Sequence, residues 1–142
     1  MKKNKIISAV SLLLIPIILT GCGNKKVLTC IQEESVSSLE YKFEFKQDKL
    51  KKFKIKAQFD FSDVNEVQFE SSSKQDYCES FNKSFDNALT DCKQNVEGRL
   101  ITVSSDVDLN KFSSKLGGNI DEVKIEDTKQ SFEKEGFKCK IK

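Results

Sequence analysis

The chain has 142 residues, 24 of them lysine or arginine and 22 aspartate or glutamate, with no histidine, no tryptophan and one proline. The absence of imidazole removes Ser-His-Asp and Cys-His catalysis, His-containing zinc sites and any histidine pH switch. Near-balanced charge gives no general argument for nucleic acid, and Arg99 as the lone arginine excludes an anion site built on clustered guanidinium groups.

Lys2, Lys3 and Lys5 precede an apolar run from Ile6 to Leu19. That run has the length of a secretory h-region and is short for a span, which needs about 20 residues. Gly21, Cys22, Gly23, Asn24 and two lysines follow at once, so it cannot be extended to bilayer thickness. It ends in Leu19-Thr20-Gly21-Cys22, which resembles the bacterial lipobox. The resemblance implies that residues 1–21 are a signal peptide and that the Cys22 thiol carries a diacylglyceryl group. Residues 22–26 are then a lipidated cysteine with a short tether, and 27–142 one domain. Two or more acyl chains on one cysteine anchor stably, at ~0.8 kcal/mol per buried methylene. The expected location is the extracytoplasmic face of the cell membrane, with the bilayer as a partner through Cys22. Lys25 and Lys26 would each add ~1 kcal/mol at an anionic surface.

Removing residues 1–21 leaves 142 − 21 = 121 residues, the size of one domain. Its charge is 24 − 3 = 21 basic residues against 22 acidic, net −1. Beyond Cys22 the cysteines are Cys30, Cys78, Cys92 and Cys139, an even number in an exported chain, which points to two disulfides. They are scattered singly, without the paired spacing of a metal site. No metal or cofactor is called for.

Lys26 to Ile31 is a short strand candidate. Leu39, Tyr41, Phe43 and Phe45 alternate with charged residues, Gln47-Asp48-Lys49 makes a turn, and Phe53, Ile55, Ala57, Phe59 and Phe61 alternate with polar residues on the way back. This is a hairpin with an aromatic face buried and a lysine-rich face wet. Ser71-Ser72-Ser73 ends the following loop, and Ser72 with Gln75 fits a capping box. From Lys74, the residues Tyr77, Cys78, Phe81 and Phe85 recur at helical spacing, and the helix is expected to stop near Asn87. Thr90–Gln94 and Leu100–Ser104 pair around a turn at Glu97-Gly98. Asp106 or Asp108 caps a short helix through Leu116, ended by Gly117-Gly118. A last helix runs from about Thr128 to Glu135 with Asp127 as cap, and Phe137 to Ile141 closes the chain as a strand. The fold class is α+β: an antiparallel sheet with helices packed on one face and two disulfides.

This layout bears on the disulfides. In one unbroken helix Cys78 and Cys92 would lie ~21 Å apart, too far to bond. If the helix stops near Asn87, a returning strand brings Cys92 back under Cys78. Pairing Cys30 with Cys139 clips the first strand to the last. The layout therefore favours 30–139 and 78–92 over the other two connectivities.

The lipobox, Tyr41-x-Phe43 turning at Asp48-Lys49-Leu50-Lys51, the serine-rich helix entry, Thr102-Val103 before Asp106-Val107-Asp108 and the closing Gly136-Phe137-Lys138 together resemble the small bacterial lipoproteins related to YehR. The resemblance implies an α+β lipoprotein domain from a family without an established activity. It supplies no catalytic residues.

Three further constellations bear on function. Asp106-x-Asp108-x-Asn110 matches the first half of a calcium loop, but Lys111 stands where the glycine belongs and Gly117 where the bidentate glutamate belongs, so capping explains it better. Lys49, Lys51, Lys52, Lys54 and Lys56 form a candidate patch for anionic headgroups or wall polymers, weighed against a plain solvated strand face. The phenylalanines read as core rather than a ligand groove. The expected role is a non-enzymatic binding or interaction module at the cell envelope, its partner an envelope protein, wall polymer or small ligand and not nucleic acid. A small hydrolase using carboxylates and a structural or assembly factor are the alternatives.

Overall fold

The computed structural model describes residues 25–113 and 118–142. The signal peptide and Cys22 expected from the sequence, and the helix end expected at Leu116-Gly117, lie outside them. Six strands form one sheet: β1 (Lys25–Glu33), β2 (Ser37–Lys46), β3 (Lys49–Asp60), β4 (Leu89–Glu97), β5 (Leu100–Val107) and β6 (Lys138–Ile141). Their order is β4-β5-β3-β2-β1-β6, and every neighbouring pair is antiparallel. The helices are α1 (Glu66–Ser73), α2 (Tyr77–Ser84), α3 (Leu109–Phe112) and α4 (Ile125–Lys134), with a 3-10 turn at Ile120–Glu122. Sheet, helices and two disulfides make this the α+β class that the sequence implies.

The period-two pattern of β2 and β3 sets the faces of the sheet. Phe43 lies opposite Phe53, Tyr41 opposite Ile55 and Leu39 opposite Ala57. On either side Leu28 faces Phe43, and Val103 faces Ala57. Phe43, Leu28, Cys30 and Ile101 are fully buried on this face. The hairpin turns at Gln47 and Asp48, both with positive φ, the signature of a two-residue turn that matches strand twist. Register then shifts between Glu44 and Phe45, so that Lys51 is the extra residue of a bulge and Leu50 faces Phe45. Without that insertion Lys51 would point into the core, because a one-residue slip exchanges the two faces of a strand.

The helices cover the apolar face: α2 lies against β4, α3 and the 3-10 turn against β3, and α4 against β1 and β6. Cys30 and Cys139 are directly opposite in the β1–β6 ladder and are joined. Cys78, in the first turn of α2, bonds Cys92 across a β4 irregularity where Asp91 takes a φ of 54°. Both connectivities favoured by the layout are present. The helix before Cys92 does stop early, through Asp86 and Asn87 in the left-handed region.

Several local expectations need correction. The Ser71–Ser73 stretch is the end of α1, an unforeseen helix whose N-cap is Asn65, accepting from the Gln68 N–H at 2.9 Å. The next helix is capped by Asp76 and not by a Ser72/Gln75 box. Helix α4 begins at Ile125, so Asp127 sits in its first turn and the cap position is Lys124, which makes no side-chain cap bond. Ile125 is buried and favours a helical start there. Asp108, of the two candidates, caps α3. Phe61 falls beyond the end of β3. Strand β1 already includes Lys25 and Lys26, so the tether inferred from the sequence loses two residues to the sheet.

Candidate functional site

The lysine run of β3 is divided by the strand's geometry. Lys52, Lys54 and Lys56 share the open face of the sheet, opposite Phe53 and Ile55 on the buried one. Lys51 occupies the bulge, and Lys49 turns to Asp121 at 3.8 Å. The open-face lysines are interleaved with carboxylates: Glu44 lies 3.9 Å from Lys52 and 3.6 Å from Lys25, and Asp106 lies 3.8 Å from Lys54. Sequence distance hides the second pairing, since β5 reaches β3 only through the fold.

A concavity of about 460 Å³ on this face is lined by Glu40, Lys42, Lys54, Lys56, Asp91, Lys93 and neighbouring β5 residues, Asp106 among them. Lys42 and Lys54 stand directly opposite each other, a like-charge pairing that is unfavourable on its own. The Asp106 carboxylate beside Lys54 relieves it. The cleft is therefore a mixed-charge, solvent-facing surface.

The helical side holds a different feature. Tyr41, Phe43 and Phe53 form its floor, Phe85 and Phe112 close it from one side, and Phe132 and Phe137 from the other. The rings stack or meet edge to face, as with Phe43 on Phe53 at 4.4 Å and Tyr41 against Phe132 at 5.3 Å. A cavity of about 360 Å³ remains among them, with Gln32 and Glu135 at its edge. Burial pushes the Tyr41 hydroxyl above its ordinary pKa, and the negative charge of Glu135 pushes it further in the same direction. The expectation of a phenylalanine core holds for Phe43, Phe45, Phe53 and Phe85, all buried, whereas Phe59, Phe61 and Phe81, expected in the same core, are only half-buried. Phe112, Phe132 and Phe137 complete the cluster from distant segments, and no short-range periodicity signals that meeting.

Arg99, the lone arginine, clamps α1 to the β4–β5 turn. Its guanidinium donates to the Glu66 carboxylate and the Val64 carbonyl, and lies 4.7 Å from the centre of the Phe69 ring. Among the described residues no group of three or more His, Cys, Asp or Glu side chains is arranged to hold a metal ion, and no helix is long and apolar enough to cross a membrane. Asp106, Asp108 and Asn110 do not converge on one point: Asp106 pairs with Lys54, while Asp108 accepts from the Asn110 and Lys111 N–H groups.

Comparison with known proteins finds no matching family model, no similar curated protein and no similar solved structure.

Proposed function

We propose that this chain is an extracytoplasmic lipoprotein, held to the membrane by acyl chains on Cys22, whose domain acts by binding rather than by catalysis. The observation that carries the reading is the combination of two disulfides with the Leu19-Thr20-Gly21-Cys22 sequence behind an apolar run. Disulfides persist in oxidising compartments outside the cytosol, and the lipobox-like stretch leads there by membrane attachment. The short motifs shared with YehR-related lipoproteins point the same way. The binding surfaces on offer are the mixed-charge cleft and the aromatic cavity, suited respectively to a charged polymer or protein and to a small apolar ligand.

The test is fractionation of cells producing the wild-type chain and Cys22→Ser. The expected outcome is that the serine variant leaves the membrane fraction or retains its leader. An unchanged distribution with unchanged processing contradicts the reading. A second reading, a small hydrolase, draws on Glu40, Asp91 and Asp106 lining one cleft. It ranks lower because Asp106 is engaged by Lys54 and the cleft is open to water.

A further inference from the structure

The two ends of the sheet differ in charge. Strand β1 covers about 27 Å from Lys25 to Glu33, at ~3.4 Å per residue. At its start the register sets Lys25 beside Lys46, and Lys46 beside Lys49 across the hairpin turn. Strand β6 ends there too, with Lys140 opposite Thr29 and Lys142 exchanging backbone bonds with Val27. Lys51 and Lys52 follow along β3. The carboxylates near these lysines include Glu44, shared by Lys25 and Lys52; Asp121, on Lys49; Asp48 in the turn; and Glu122, Glu126 and Asp127 in the segment that follows Asp121. Lys26, Lys46 and Lys51 are exposed and have no ion-pair partner among the described residues.

The opposite end reverses the balance. Glu33 ends β1, Asp60 ends β3 and Glu97 ends β4, with Glu34 and Glu66 beside them. The cations there include Arg99, held by Glu66, Lys138, opposite Ile31, and Lys134 in the last turn of α4.

We propose that the β2–β3 hairpin end of the domain is the surface that rests on an anionic bilayer, with the acidic end pointing away from it. This rests on the reading of Cys22 as the anchor. From the sequence, only Gly23 and Asn24 separate Cys22 from β1, a reach of roughly 10 Å between the Cα atoms of Cys22 and Lys25, so the anchored end must lie at the headgroups. Charge complementarity then selects its seat: Lys26, Lys46 and Lys51 meet lipid phosphates, while the acidic end is repelled. The open face is a poorer seat, since Glu40, Asp91 and Asp106 stand among its lysines.

The test uses the mature lipidated protein reconstituted into phosphatidylcholine vesicles and into vesicles that also contain phosphatidylglycerol. Lysines are acetylated with a water-soluble reagent and quantified by mass spectrometry. Lys26, Lys46 and Lys51 are expected to react about five-fold more slowly on the anionic vesicles, the equivalent of ~1 kcal/mol per lysine at the surface. Lys83 and Lys93 should react alike on both, and high salt should remove the difference. Equal reactivity of the three lysines on both vesicle types overturns the orientation while leaving the anchor standing, and so does protection of Lys56 and Lys93 instead. A protein that floats with neither vesicle type overturns the anchor and the orientation together. The variant Lys26→Glu/Lys46→Glu/Lys51→Glu changes exposed side chains alone and should equalise the labelling of Lys52, which the tether does not hold at the surface, between the two vesicle types. Preserved protection in that variant overturns the proposal.

Discussion

Cys30 and Cys139 face each other across the β1–β6 ladder, their Cα atoms 4.1 Å apart, and their bond joins residues 109 positions apart in sequence. It therefore holds the short edge strand β6 to the sheet and closes nearly the whole domain into one loop. In the chain-entropy picture that loop is worth about 4 kcal/mol or more, against about 3 kcal/mol for the 14-residue separation of Cys78 and Cys92. Urea unfolding of Cys30→Ala/Cys139→Ala should show the larger loss of stability, and of Cys78→Ala/Cys92→Ala the smaller. The reverse order would mean that β6 adds little to the fold.

Tyr41 and Tyr77 are the two tyrosines of the chain, and tryptophan is absent, so phenol ionisation can be followed by near-ultraviolet absorbance. Both are raised by burial, and Tyr41 is raised further by Glu135. Glu135→Gln should bring the Tyr41 titration down toward the ordinary value near 10 without reaching it, since burial is the larger cause. The sign for stability follows by linkage. The folded state keeps the phenol proton where the unfolded state has lost it, so stability is intact below about pH 10 and declines as pH rises through the folded value.

Helix α4 starts without a side-chain cap at Lys124, whose backbone is extended. Lys124→Ser should supply the missing acceptor and raise stability by about 0.5–1 kcal/mol. Asp76→Ala removes an existing cap from α2 and should cost about 1 kcal/mol. Thermal or urea unfolding measures both, and a loss of stability in Lys124→Ser would contradict the cap geometry.

Phe43 lies fully buried at the centre of the aromatic cluster, stacked on Phe53. Phe43→Ala should destabilise by about 3–5 kcal/mol. Val67, on the exposed side of α1, is 77% exposed, and Val67→Ala should stay within about 0.5 kcal/mol. Equilibrium unfolding that gives comparable losses would place the core elsewhere.

The legible part of this fold is where local pattern and burial agree. In β2 and β3 every second residue is apolar over most of two strands, and that alternation survives as the central pair of the sheet. The halt of α2 near Asn87, expected from the sequence, is what returns Cys92 to within reach of Cys78. Helix α1 was not legible: Glu66–Ser73 buries no residue, so it carries no apolar stripe, and it is held by the Asn65 cap and Arg99. The bulge at Lys51 also escaped, because it serves the burial of Leu50 rather than any turn chemistry. At the candidate surfaces the lysines were visible as a run, but their partners Glu44, Asp106 and Asp121 come from three other segments. The aromatic cavity was invisible for the same reason, as Phe112 and Phe132 meet Phe53 and Phe43 only after the chain has folded.

The attachment itself is read most directly from the N-terminal peptide of the protein purified from membranes. Mass spectrometry should find a peptide that begins at Cys22 and carries a diacylglyceryl mass on that residue. A peptide with an unmodified Cys22, or one whose N-terminus lies at another residue, would contradict the anchor.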